Sequence, residues 1–377
     1  MAIVKKVLVI GGGIAGMCAA IQIRKLGIAV DLIEISPEWT AYGAGITISS
    51  PTLRALRTVG VIEEVLARGG NWSAIDICSP DGAVMTTVPV KASVGAESLP
   101  GAAGILRPVL AQILSRATRE SGTQVRLGVT FATLACDGDG VNVRFTDGAQ
   151  ERYDLVVGAD GVRSKVRDAM FPGAPAPRFT GQVSWRAVVP RTRKNSTIFM
   201  GKTTKAGLNP VSATESYLFV LDHQNRTEFV DETRAPDLLA QCLAEFGGDL
   251  SAIRQRLLDG SAGDLRIVHR PLLGLMMNAP WHRDRVVLLG DTVHATTPHL
   301  ASGAGLAVEG AIVLAEELGR CHFLEGALHA YAGRRYDRSR LVVSSSIRMG
   351  ELEQTGGSRD EHREVMVHAM DALTAAI

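Results

Sequence analysis

The sequence predicts an α/β fold in which a parallel-sheet domain is interleaved with a β-rich domain and closed by C-terminal helices. Three observations carry that prediction. An apolar run at 7–10 leads into Gly11, Gly13 and Gly16 and then into a helix-like stretch. Two later apolar runs, 153–157 and 286–289, are followed by Gly158, Asp160 and Gly161 in one case and by Gly290-Asp291 in the other; an acid and a glycine at a strand's C-terminal end mark where open α/β sheets bind ligands. From Arg178 to about Val230 the pattern turns β-rich with no second glycine fingerprint, which predicts an antiparallel sheet facing the substrate. The expected division is 1–177, with an insertion around 72–104 that joins the substrate side, then 178–264, then 265–377 returning to the first domain and ending in helices.

Lys5 and Lys6 before the first apolar run could open a signal sequence, but glycines interrupt the run and no small-residue cleavage pattern follows, so it reads as a strand. Gly11, Gly13 and Gly16 then spell GxGxxG, and a second strand at 29–34 ends on Glu34. This is a Rossmann-type unit: the glycines let backbone N–H groups approach a pyrophosphate at a helix N-terminus, and the acid meets a ribose diol. Glu34 would repel a 2′-phosphate, which favours an FAD or NAD adenosine over NADP. Next come Gly43-Ala44-Gly45-Ile46, a short helix opened by Pro51, and a hairpin of 74–78 and 84–88 around Pro80-Asp81-Gly82. The Gly-, Ala- and Ser-rich 91–104 reads as a surface loop. A helix covers 107–121; Arg107 at its start either covers the helix end or reaches a phosphate.

Strands at 131–136 and 141–145 flank Asp137-Gly138-Asp139-Gly140. After the strand at 153–157, Asp160 serves either as a helix N-cap or as a ligand-side acid. The β-rich part contains strands 183–189, 197–200 and 217–221. Helices 236–246 and 250–258 follow, then a strand at 265–269 expected to return to the first layer. The C-terminal part reads as helices at 303–321 and 324–352 and an amphipathic tail from 359 to 377.

Composition narrows the function. Forty basic against thirty-nine acidic residues leave a net charge of +1 over 377 residues, which gives no general attraction to nucleic acid or an anionic membrane. No stretch approaches a membrane span, and the cytoplasm is the expected compartment. The five cysteines are scattered and never spaced Cys-x-x-Cys, arguing against a disulfide framework or a thiolate metal site. The expected partner is small, and the chain a monomer or homodimer.

Three stretches then line up in order: GGGIAG (11–16) with Glu34, DLVVGADGVRSKVR (154–167), and RVVLLGDTVHATTPHLASGAGLAVEGAIVLAEEL (285–318). Together they resemble the single-component FAD-dependent aromatic hydroxylases, the p-hydroxybenzoate and salicylate hydroxylase family, whose FAD-binding domain is glutathione-reductase-like. The resemblance implies a monooxygenase that uses NADH or NADPH as transient donor and O2 as co-substrate to hydroxylate an activated aromatic or N-heteroaromatic ring. It also implies which residues hold FAD. Gly11, Gly13, Ile14, Ala15, Gly16 and Glu34 would take the ADP part, with Gly45 and Val129 nearby. Arg107 would contact the phosphate and ribityl region, Gly290-Asp291 the ribityl chain, and Asp160-Gly161 both FAD and the passing donor.

Pro298 would turn the chain across the flavin ring, and the helix opened by Gly303, Ala304, Gly305 and Leu306 would favour the negative charge that appears on reduction. His299, next to Pro298, would either contact the substrate and take its proton or only pack or cap. His294 reads more simply as a structural hydrogen-bonding residue. Candidate substrate contacts are Trp185, Arg186, Tyr217 and His223. Ser302 and Gly310 depart from the family's usual residues. The alternatives are a same-fold flavoenzyme acting on an apolar substrate, as an epoxidase or reductase, and a non-catalytic FAD-binding protein.

Overall fold

The structure, a computed structural model, describes residues 3–41, 43–202, 204–223, 230–261 and 265–377; the expected boundary after 264 lies outside them. Its first layer is a six-stranded sheet ordered His282–Arg283, Val286–Leu288, Leu155–Gly158, Lys6–Ile10, Ala29–Glu34, Gln124–Leu127. All neighbours run parallel except the first pair. Such strands are covered on both faces, which is why they read as unbroken apolar runs. Because Ile10 pairs with Gly158 and Ile33, and Gly158 with Leu288, the strand ends that precede Gly11, Ala159 and Leu289 form one edge.

The second layer is a seven-stranded sheet ordered Val268–Gly274, Arg178–Pro190, Glu215–His223, Lys205–Pro210, Ser196–Met200, Ala74–Cys78, Val84–Pro89. One face buries Val183, Trp185, Ala187 and Val189 against Leu239, Leu243, Leu250 and Leu257 of the helices Ala235–Cys242 and Gly248–Leu258. Strand alternation sends Ser184 and Arg186 to the opposite face, where they line a cavity.

Four expectations about elements change. Ala102–Leu106 is a buried strand paired with Gly45–Ser49 and Gly70–Trp72, not the end of a surface loop; its small residues allow the chain of Pro210 to lie against Gly104. The run at 153–157 divides at Asp154, whose carboxylate accepts the backbone N–H groups of Lys5 (2.6 Å) and Lys6 (2.9 Å); Tyr153 ends an antiparallel strand and Leu155 starts the parallel one. The strand expected at 265–269 is Val268–Gly274, and it pairs with Arg178–Pro190 in the second sheet rather than in the first layer. Lys205–Pro210, broken by glycine and ending in proline, was not foreseen as a strand.

The helix Gly303–Arg320 packs between the helices Ile14–Arg24, Ser50–Val59 and Leu324–Thr355, which accounts for its nearly continuous burial. After Leu324–Thr355 the chain turns through Gly356 at φ 63°. Ser358 then caps Arg359–Thr374 by accepting the Glu361 N–H at 3.3 Å. Among the described residues no helix is long and apolar enough to cross a membrane.

Candidate active site

The edge formed by the parallel strands opens into a cavity of about 830 Å³ that continues onto the second sheet. At one end lie Gly12, Gly13, Ile14, Ala15, Glu34 and Trp39; in the middle lie Gly45, Arg107, Gly161 and Asp291; at the other end lie Ser184, Arg186, Lys205, Asn209, Tyr217 and Arg270. Pro298, Gly303 and Ala304 line the wall between the two layers.

The first end is a turn held rigidly by its own polar groups. Glu34 accepts the Gly12 N–H at 2.7 Å and the Ser36 N–H at 2.8 Å, and the Trp39 indole N–H donates to the Gly12 carbonyl at 2.7 Å. Nothing stands within 4 Å of the position a Gly13 side chain would take, so backbone at the helix start is open to an anion. In the middle, the Asp291 side chain is exposed on the cavity lining, and its oxygens accept no hydrogen bond among the described residues. Desolvation by the protein around the recess raises its pKa, opposed by the charge of Arg107. Burial, and then Arg186, lowers Arg107 to about 10, so it stays cationic at neutral pH. Its Nε is buried without a partner among the described residues.

These features fit FAD. A pyrophosphate suits the open helix start, sugar hydroxyls would complete Glu34 and Asp291, and an acceptor would complete Arg107. The helix Gly303–Arg320 begins without a side-chain cap, because the Ser302 hydroxyl donates to the Leu300 carbonyl at 2.7 Å instead. Its free first-turn N–H groups therefore face the cavity wall. Asp291→Ala removes a charged hydrogen-bond partner, commonly about 1.5–3 kcal/mol, and should weaken FAD binding about ten- to a hundredfold in a titration of the apoprotein. Unchanged affinity would remove Asp291 from the FAD site.

Not every expected residue reaches the cavity. Gly11, Gly16 and Gly290 are off its lining: Gly16 packs on the Gly11 backbone, Gly11 on Ala159, and Gly290 on the side chains of Ala15 and Ala307. Gly305 packs on Thr52 and Leu306 is fully buried. Val129 lies off the lining, its N–H donating to the Glu34 carbonyl at 3.1 Å. Asp160 is occupied as a cap: it accepts the N–H groups of Lys165 (2.7 Å) and Val166 (3.1 Å) and the Ser164 hydroxyl. Gly161 stays on the lining.

Two candidate substrate contacts are corrected. Trp185 is 1% exposed on the far face of its strand, its ring 4.4 Å from that of His269. His223 ends its strand exposed, outside the cavity. Arg186 and Tyr217 line the cavity. The Tyr217 hydroxyl meets Thr47 Oγ1 at 2.6 Å and accepts from Asn209 Nδ2 at 2.9 Å, and Ser196 donates to Asn209 Oδ1 at 2.5 Å.

His294 is fully buried 5.6 Å from the Trp281 ring, with neither ring nitrogen partnered by another residue among the described ones; burial, then Arg335, lowers it to about 3, so it packs as a neutral ring. The His299 side chain is 0% exposed. His299 belongs to the cavity lining, but its ring packs against Gly350 and Glu353, so of the two expected roles the packing one matches this geometry. Sequence reasoning passed over Ser184, Lys205, Asn209, Arg270 and Thr297 on the lining. Alternation from Arg186 could have found Ser184; the others carry no local signal. Among the described residues no cluster of His, Cys, Asp or Glu could hold a metal ion.

The profile of the FAD binding domain family matches residues 5–346. The chain is 32% identical over 355 residues to aurachin C monooxygenase/isomerase of Stigmatella aurantiaca, covering 92% of this chain and 89% of that one. It is 34% identical over 314 residues to 2-heptyl-3-hydroxy-4(1H)-quinolone synthase of Pseudomonas aeruginosa, covering 82% and 79%. The crystal structure of Klebsiella pneumoniae HpxO complexed with FAD and uric acid superimposes with a TM-score of 0.83 at 24% identity, covering 99% of this chain and 93% of that one.

Proposed function

Because the chain belongs to the FAD binding domain family and is an FAD-dependent monooxygenase of the aromatic and heteroaromatic hydroxylase group, we propose that it hydroxylates an N-heteroaromatic ring carrying an ionisable hydroxyl or an acid group. The observation that carries this is the sign of the charge at the second-sheet end of the cavity. Arg186 and Arg270 both line it, and neither has a carboxylate partner among the described residues: Arg186 donates to Ser184 Oγ at 3.1 Å, and Arg270 to the His269 carbonyl at 2.9 Å. Two cations left open on a cavity wall favour an anionic ligand. Ile198, Phe219, Leu221 and Val268 give the same end an apolar surface for a planar ring.

Bound FAD would supply electron transfer from NADH or NADPH and oxygen activation. The protein's share is to hold the ring against the wall formed by Pro298, to exclude water and to stabilise negative charge on the ring. Ionising a ring hydroxyl makes the adjacent carbon more nucleophilic, so cations at Arg186 and Arg270 assist reactivity as well as binding. Heteroaromatic chemistry is supported by the quinolone-directed relative and by the urate-bound structural neighbour.

The test is NADH and NADPH oxidation in air by the FAD-loaded protein with hydroxypyridine carboxylates, hydroxyquinolines, phenols and neutral alkylquinolones. Acidic N-heterocycles should stimulate oxidation most, with little peroxide released. Arg186→Met should then raise KM for them about tenfold or more, the size of one charged hydrogen bond. Stimulation only by neutral alkylated rings, or an unaltered KM, would reject the anionic reading.

A further inference from the structure

Behind the cavity wall lies a polar chain that the FAD site does not use. Thr297, on the lining, places its Oγ1 2.9 Å from His299 Nδ1. The other ring nitrogen, Nε2, is 3.3 Å from Glu353 Oε2. That contact is an ion-pair distance rather than a formed hydrogen bond, and neither atom has a hydrogen-bond partner among the described residues, so among them each is the nearest opposite group available to the other. Glu353 Oε1 accepts from Lys205 Nζ and stands 3.1 Å from His362 Nε2. The groups around the imidazole thus come from every packed element: Glu353 from the long helix, Lys205 from the second sheet, His362 from the last helix, and the neutral Gln182 beside Gly350.

The chemistry assigns the protons. Burial works to raise Glu353, but the His299 and His362 rings and the charge of Lys205 hold it well below the usual carboxylate range. An ionised carboxylate only accepts, so the proton of a neutral His299 belongs on Nε2. Burial keeps the ring neutral, outweighing Glu353. Nδ1 is then bare and accepts from the Thr297 hydroxyl, whose oxygen is left to accept from a donor in the cavity.

We propose that Thr297, His299 and Glu353 form a hydroxyl–imidazole–carboxylate relay that removes the ring hydroxyl proton of the substrate, with Glu353 as the positioning residue. The substrate O–H bond breaks and its proton joins Thr297 Oγ1; the proton already on that oxygen passes to His299 Nδ1. The products are a substrate oxyanion and an imidazolium paired with the Glu353 carboxylate, with no other reactant consumed. Reversal returns the proton. As in other carboxylate–histidine pairs, the carboxylate stays ionised and fixes the tautomer. Steric room is specific: a side chain at Gly350 would stand 3.0 Å from His299 Cε1 and 2.7 Å from Gln182 Oε1.

The substrate half of this proposal rests on the hydroxylase reading; the tautomer half does not, and it is tested first. Selective 15N-histidine labelling should show His299 protonated at Nε2 with a bare Nδ1, its resonance identified by loss in His299→Gln or, if that variant fails to fold, by its shift in Thr297→Val. A proton on Nδ1 would overturn the relay. The second test uses the panel compound that most stimulates donor oxidation by the wild type. Below that compound's own pKa, kcat/KM should be nearly flat for the wild type. In Thr297→Val and Glu353→Gln it should rise tenfold per pH unit, following the pre-ionised fraction, and lie about a hundredfold lower at neutral pH. Thr297→Ser should restore the wild-type profile. Variants that keep that profile overturn the relay, whereas a panel that stimulates nothing rejects the hydroxylase reading and leaves the tautomer result to stand alone.

Discussion

Gly11→Ala should leave a folded protein that no longer retains FAD. Gly11 holds φ at +107° where the first strand breaks into the helix, and its N–H donates to the Ile33 carbonyl at 2.8 Å. An added Cβ would overlap the carbonyl of Ala159, with the carbonyl carbon at 2.7 Å and Asp160 Cα at 3.0 Å. Neither neighbour can retreat, because Ala159 follows a central strand of the parallel sheet. Backbone strain in this region costs about 1–3 kcal/mol, and overpacking about 1–3 kcal/mol more. The cheapest relief is to move the turn, and the turn is what presents Gly12 and Gly13 to the cavity. Even about 2 kcal/mol is roughly thirtyfold in affinity. Flavin absorbance after gel filtration, with FAD titration of the apoprotein, checks it; wild-type FAD content would mean that the turn does not shape the cofactor site.

That turn was legible because its constraints are local. A strand buried on both faces must be apolar throughout, and a backbone that turns sharply under a helix start must be glycine, so the composition at 7–16 encodes the geometry. The same logic served for 286–291. It failed where the deciding partner lies far along the chain. Trp185 and Arg186 are neighbours in sequence, yet one enters the core beneath Leu239 and the other the cavity. Register alone decides which, and the register is fixed by pairing with 215–223 and 268–274. His299 was placed on the right loop, but its orientation depends on Glu353 of a helix packed behind that loop. A charged tail at 359–377 gave no hint that His362 would complete the same cluster.

Glu309→Ala should cost the most stability. Glu309 is 1% exposed inside the helix Gly303–Arg320. Arg335 meets it at 2.7 Å and Arg338 at 2.8 and 2.9 Å through two nitrogens, while Arg54 stands at 3.7 Å. The arginines then reach onward: Arg54 donates to the carbonyls of Val94 and Ala375 at 2.8 Å each, and Arg338 to that of Leu373 at 2.7 Å. One carboxylate therefore ties the helix that begins at the cavity wall to the C-terminal end of the chain. Removing it strands Arg335, itself 1% exposed, with no compensating charge; breaking a buried pair in this way costs about 3–5 kcal/mol. Denaturant unfolding should show that loss, and limited proteolysis should release the segment 359–377 first. The double change Glu309→Leu with Arg335→Met should recover much of it, since apolar replacement of a buried pair is often neutral. Recovery would show that the penalty is the uncompensated charge, whereas equal losses in the single and double variants would mean that Glu309 acts through packing alone.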